Sequence, residues 1–123
     1  MKYALLIYAE SYEGRSAAPR AGEGVMDDWL DYTIALRQSG ALLGAEQLET
    51  MDTATSVRLQ DGERLLTDGP FMETKERLGG FYLIDVPDLD SALDWAAKMP
   101  VMRYGTVEVR PVREGAAWQA GLK

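Results

Sequence analysis

The sequence predicts an α+β domain made of two β-α-β halves with a hairpin between them. Two runs, Tyr3 to Ala9 and Phe81 to Val86, are apolar on both pleat faces and read as strands covered on each side. Two segments, Val25 to Ser39 and Leu89 to Met99, carry apolar residues at helical spacing. Between the halves, Asp61-Gly62 is a dipeptide that turns a two-residue hairpin loop.

The elements follow in order. Tyr3 to Ala9 is the first strand, and the lysine and apolar run at its start end at Glu10, too early for a signal peptide. The stretch from Glu10 to Gly24, with Gly14, Pro19 and Gly22, reads as an exposed loop. In the first helix Val25, Met26, Trp29, Leu30 and Leu36 share a face, while Asp27, Asp28, Asp31 and Gln38 take the other, and Gly40 caps the end. Ala41 to Leu48 is a second strand. Thr55 to Leu59 and Glu63 to Thr67 flank the hairpin turn. Gly79-Gly80 introduces the strand Phe81 to Val86. Pro87-Asp88 starts a second helix with Leu89, Ala92, Leu93, Ala96 and Met99 inward, closed by Pro100, and Thr106 to Val112 alternates as a half-exposed strand.

This order is the split β-α-β arrangement called ferredoxin-like. Two right-handed crossovers put both helices on one side of the sheet, which leaves the other side bare. Since the strands carry apolar residues on both sides, a second copy is the simplest cover, giving a face-to-face homodimer and a dimeric α+β barrel. The expected division is a domain over 1–113 and a tail over 114–123, whose Trp118 docks on the partner subunit.

Composition narrows the chemistry. At 123 residues, 46% hydrophobic and 27% charged, the chain suits one globular domain, with no apolar stretch long enough for a membrane span. The net charge of −7 argues against nucleic acid, which is bound by clustered Lys and Arg. With no histidine and no cysteine, a chain has no Ser-His-Asp or Cys-His nucleophile, no His/Cys zinc site and no histidine-held haem. A cytoplasmic protein without cofactor is expected, and any catalysis falls to Asp, Glu, Lys, Tyr or Arg.

Asp68-Gly69-Pro70-Phe71-Met72-Glu73-Thr74-Lys75-Glu76-Arg77-Leu78-Gly79-Gly80-Phe81 is the most unusual stretch. It resembles the signature of the DGPF group of bacterial YCII-related proteins, with flanking matches at Met1-Lys2-Tyr3, at 40–44 and at 104–112. The resemblance implies the same dimeric α+β barrel. It also implies a regulatory setting, because genes of the group often adjoin those of extracytoplasmic-function sigma factors. Other YCII relatives look like small enzymes with a His-Asp pair, one of them removing chloride from a chlorinated hydroxyquinol. This sequence has no histidine, so that dyad does not transfer.

Within the signature, Asp68, Glu73 and Lys75 are the candidate catalytic residues, with a carboxyl group as acid or base and an ammonium assisting. Against this stands turn chemistry, in which Asp68 bonds backbone N–H groups ahead of it, Gly69 supplies positive φ and Pro70 fixes the next dihedral. Tyr8, Arg58, Phe71 and Tyr104 are candidate ligand contacts, each with core packing or a snorkelling stem as its plain alternative. A hard-cation set of Glu46, Asp68 and Glu73 has oxygen ligands but no spacing motif, so no metal is expected. Two functions stand: a homodimer that binds a small molecule, with proton-transfer or lyase-like chemistry on a phenol or enol, and a non-enzymatic module that acts on a regulatory protein.

Overall fold

A computed structural model of the chain describes residues 1–10, 25–72 and 74–122. Its elements are β1 (Lys2–Glu10), α1 (Val25–Gln38), β2 (Leu42–Gln47), β3 (Thr55–Gln60), β4 (Glu63–Asp68), β5 (Glu76–Asp85), α2 (Leu89–Ala97) and β6 (Gly105–Pro111). Short 3-10 turns lie at Met51–Thr53, Pro100–Arg103 and Ala117–Leu122. The expected loop from 11 to 24 and the side chains of Val25 and Met26 lie outside the described part.

Four strands form one antiparallel sheet in the order β2-β5-β1-β6, the ferredoxin-like order in which β5 lies between the two strands of the first β-α-β unit. The hairpin β3-β4 is a separate two-stranded sheet. Its loop is Asp61 and Gly62, both at positive φ (51° and 78°), the backbone that a tight hairpin turn needs to follow the twist of its strands.

The core lies between the helices and one face of the sheet. Strand alternation sends Tyr3, Leu5 and Ala9 of β1 and Tyr82 and Ile84 of β5 to that side, where they meet Tyr32 and Leu36 of α1 and Ala92 and Ala96 of α2. Burying side chains such as Leu5, Leu36 and Ile84 is worth about 1.5–3 kcal/mol each, the main term holding helices to sheet. An aromatic cluster fills the middle. Trp29 stacks on Tyr82 with centroids 6.3 Å apart, and Tyr32 stands edge-on to Tyr82 at 5.5 Å and to Trp95 at 6.0 Å. The Tyr32 hydroxyl donates to the Trp95 carbonyl at 2.7 Å, and burial pushes both the Tyr32 and Tyr82 phenols above their ordinary pKa, so they are neutral donors.

Several expectations are corrected. Strand β5 begins at Glu76, not Phe81, so Gly79-Gly80 sits inside the strand. Gly79 is the extra residue of a bulge, because Ile7 faces Gly80 while Tyr8 faces Leu78. Gly80 is where backbones approach: a Cβ there would lie 2.7 Å from the Glu46 carbonyl oxygen. Leu30 of α1, expected inward, is exposed. Leu89 and Leu93, also expected inward, are exposed because α2 buries its small residues Ala92 and Ala96 instead. Helix α2 ends at Ala97, and Pro100 opens the next 3-10 turn.

Candidate functional site

The sheet face opposite the helices presents Ala4, Leu6 and Tyr8 of β1 beside Phe81 and Leu83 of β5, all partly exposed. On the edge strand β6, Thr106, Glu108 and Arg110 stand in register with Tyr8, Leu6 and Ala4. The face is therefore an apolar stripe with a charged border.

At one end the stripe runs into polar groups. The register sets Glu10 opposite Glu76, two carboxylates that repel unless something stands between them. Lys75 offsets the charge of one of them, with Nζ 3.3 Å from Glu10 Oε1. Thr106 of β6 donates to Glu76 Oε1 at 3.3 Å, reaching across β1, which lies between β6 and β5. The turn before β5 is set locally, since Thr74 Oγ1 donates to the Glu76 carbonyl and Arg77 Nε donates to the Thr74 carbonyl at 3.2 Å. Lys75 and Glu10 are well exposed, so their pair adds little to stability and leaves the ammonium accessible.

The expected site residues divide. Lys75 is brought to Glu10, and Tyr8 sits two residues from Glu10 on the same face of β1. Asp68 ends β4, exposed, opposite Thr55, and its side chain makes no hydrogen bond or ion pair with the described residues. The expected Asp68 bonds to following N–H groups are therefore not made. The turn is held instead by Gly69, whose N–H donates to the Ala54 carbonyl at 2.7 Å and whose carbonyl accepts from Ser56 Oγ at 2.9 Å. Its φ of +96° is open to glycine and strained for other residues, as the turn reading requires. Arg58 lies on the hairpin opposite Leu65, Phe71 is 72% exposed, and Tyr104 caps the turn before β6. Glu73 lies outside the described residues, and with it the cation set of Glu46, Asp68 and Glu73. Among the described residues, no group of three His, Cys, Asp or Glu is placed to hold a metal ion, and no helix is long and apolar enough to cross a membrane.

Sequence reasoning missed Glu10, Glu76 and Thr106. Glu76 lies in the signature and Thr106 in a flanking match, yet neither was singled out, because the three meet only through strand register.

The sequence profile of the YCII-related domain matches residues 1–116, which include both the open face and the charged sheet end. The chain belongs to the YCII-related family. An uncharacterised protein of Rhizobium meliloti (strain 1021) is 37% identical to this YCII-related chain over 114 residues, covering 91% of the chain and 92% of that protein. The matched span carries no histidine, so this YCII-related protein works without the side chain most often used for proton transfer near neutral pH.

Proposed function

We propose that this protein is a homodimer of the DGPF group, joined through the open faces of its two sheets, that binds a small phenolic or enolic molecule at the charged end of each sheet. The supporting observation is the apolar stripe of Leu6, Tyr8, Phe81 and Leu83 ending at the Glu10–Lys75 pair. A bare apolar sheet face calls for a cover, and a second copy supplies an identical one by twofold symmetry.

Pairing the faces excludes water from the stripe and strengthens the electrostatics at its end. There the Lys75 ammonium holds the ligand's phenolate or enolate oxygen, the Tyr8 hydroxyl hydrogen-bonds beside it, and Phe81 and Leu6 take the ring or chain. A carboxylate of Glu10 or Glu76 exchanges a proton with the held ligand. Asp68, on the hairpin, is left to the contact argued below.

Thermal shift with a panel of substituted phenols and enolisable ketones tests the reading. A compound that raises the melting temperature of the wild type should lose that effect in Lys75→Met, whose own melting temperature matches wild type because Lys75 is exposed. An unchanged ligand response in Lys75→Met removes this site.

A further inference from the structure

The hairpin β3-β4 is amphipathic across its two faces. Residues paired in an antiparallel ladder point to the same side. One face thus carries three rows, Thr55 with Asp68, Val57 with Leu66, and Leu59 with Arg64. The other face is mostly polar, with Ser56, Thr67, Arg58, Leu65, Gln60 and Glu63. Val57, Leu59 and Leu66 are 60%, 77% and 60% exposed, so the apolar face points into solvent. An isolated two-stranded hairpin is at best marginally stable in water, and this one keeps its six-residue register without a slip. A surface has to meet it.

The charges say which surface. Arg64 and Asp68 stand at opposite ends of the apolar face, both on β4, and neither side chain has a partner among the described residues. Two arrangements bring this face onto its own copy by a twofold rotation. An axis along the strands lays Arg64 over Leu59 of the second copy and leaves both charges unpaired. An axis across the strands, through the Val57–Leu66 row, lays Leu66 on Leu66, Val57 on Val57, and Arg64 over Asp68 of the second copy, twice. Sheets stacked about 10 Å apart leave a gap that an Arg and an Asp side chain together span. Unpaired charges beside an apolar contact are costly, so the second arrangement is selected.

We propose that the hairpin is an isologous contact arm, with the Val57–Leu66 row on a twofold axis and Arg64 of each copy paired with Asp68 of the other. This rests on the sheet-face homodimer, because the hairpin patch is smaller than the roughly 1,200 Å² that a stable interface buries and depends on the proximity that the pair supplies. It gives the Asp of the signature a role in recognising a second copy.

The chain has no cysteine, so single introduced thiols report without background. Leu66→Cys lies on the proposed axis, whereas Leu59→Cys is separated from its own copy by about four residues of strand, roughly 14 Å along it. A short bis-maleimide should link Leu66→Cys into a covalent pair roughly tenfold or more faster than Leu59→Cys, the advantage of a held neighbour over random collision. Random collision would favour Leu59, the more exposed of the two. In the Leu66→Cys background, Arg64→Asp should slow linking, and Arg64→Asp with Asp68→Arg should restore it. Equal rates for the two thiols, or no rescue by the swapped pair, with the wild type still dimeric, overturns the hairpin contact and leaves the sheet-face reading standing. A monomeric wild type overturns the sheet-face reading, and the hairpin contact with it.

Discussion

The hydroxyls of Thr33 on α1 and Tyr82 on β5 meet 2.7 Å apart inside the helix–sheet interface. Thr33 has one proton, and it goes to the Trp29 carbonyl at 2.9 Å, so Tyr82 is the donor between them. The pair fixes the helix against the sheet where the aromatic rings pack.

Removing either hydroxyl costs stability, unequally. Tyr82→Phe takes away a donor and leaves an acceptor with its own bond intact, a loss of about 0.5–1.5 kcal/mol. Thr33→Val strands the Tyr82 hydroxyl in the interface and should cost more, about 1–3 kcal/mol. Urea unfolding of both variants checks the order, and an equal or reversed cost contradicts the assignment of donor.

The glycines of β5 are not interchangeable. Gly80→Ala drives a methyl group into the Glu46 carbonyl and should destabilise by about 1–3 kcal/mol, as overpacking does. Gly79→Ala, whose Cβ would lie 4.0 Å from the Ile7 carbonyl oxygen, is in ordinary contact and should cost less. Melting temperatures of the two variants separate them.

The cap of α2 sets a pH dependence. Asp88 accepts from the Ser91 N–H at 2.8 Å, and this bond holds its carboxyl below the usual pKa. A carboxyl lowered on folding stabilises above its unfolded value, about 3.9, and that contribution is lost as pH falls through the lower folded value. The melting temperature of wild type should exceed that of Asp88→Ala by a constant few degrees from pH 7 to about pH 5, with the gap closing below about pH 4. A gap that widens in acid contradicts the cap.

Much of this was legible in the sequence, for reasons that particular residues show. The hairpin followed from Asp61-Gly62, because few residues accept two successive positive φ values. Helix α2 followed from its spacing, yet its buried face was misjudged at Leu89 and Leu93, since hydrophobicity does not reveal that a helix packs through alanines. The early start of β5 was hidden by Glu76-Arg77 and by the bulge at Gly79, neither of which alternates like a strand. At the sheet end, Lys75 and Tyr8 were readable as residue types. Glu10, Glu76 and Thr106 were not, because they come from three strands and only the register joins them.

The central claim is that two open sheet faces pair. Leu83 lies on that face, opposite Ala4 and away from the helices, so Leu83→Arg places a charge in the proposed interface without entering the core. Sedimentation equilibrium at micromolar concentration should give the wild type twice the 13.6 kDa mass of one chain, and Leu83→Arg that of a single folded chain. A monomeric wild type, or a Leu83→Arg variant that stays as tightly paired, contradicts the account.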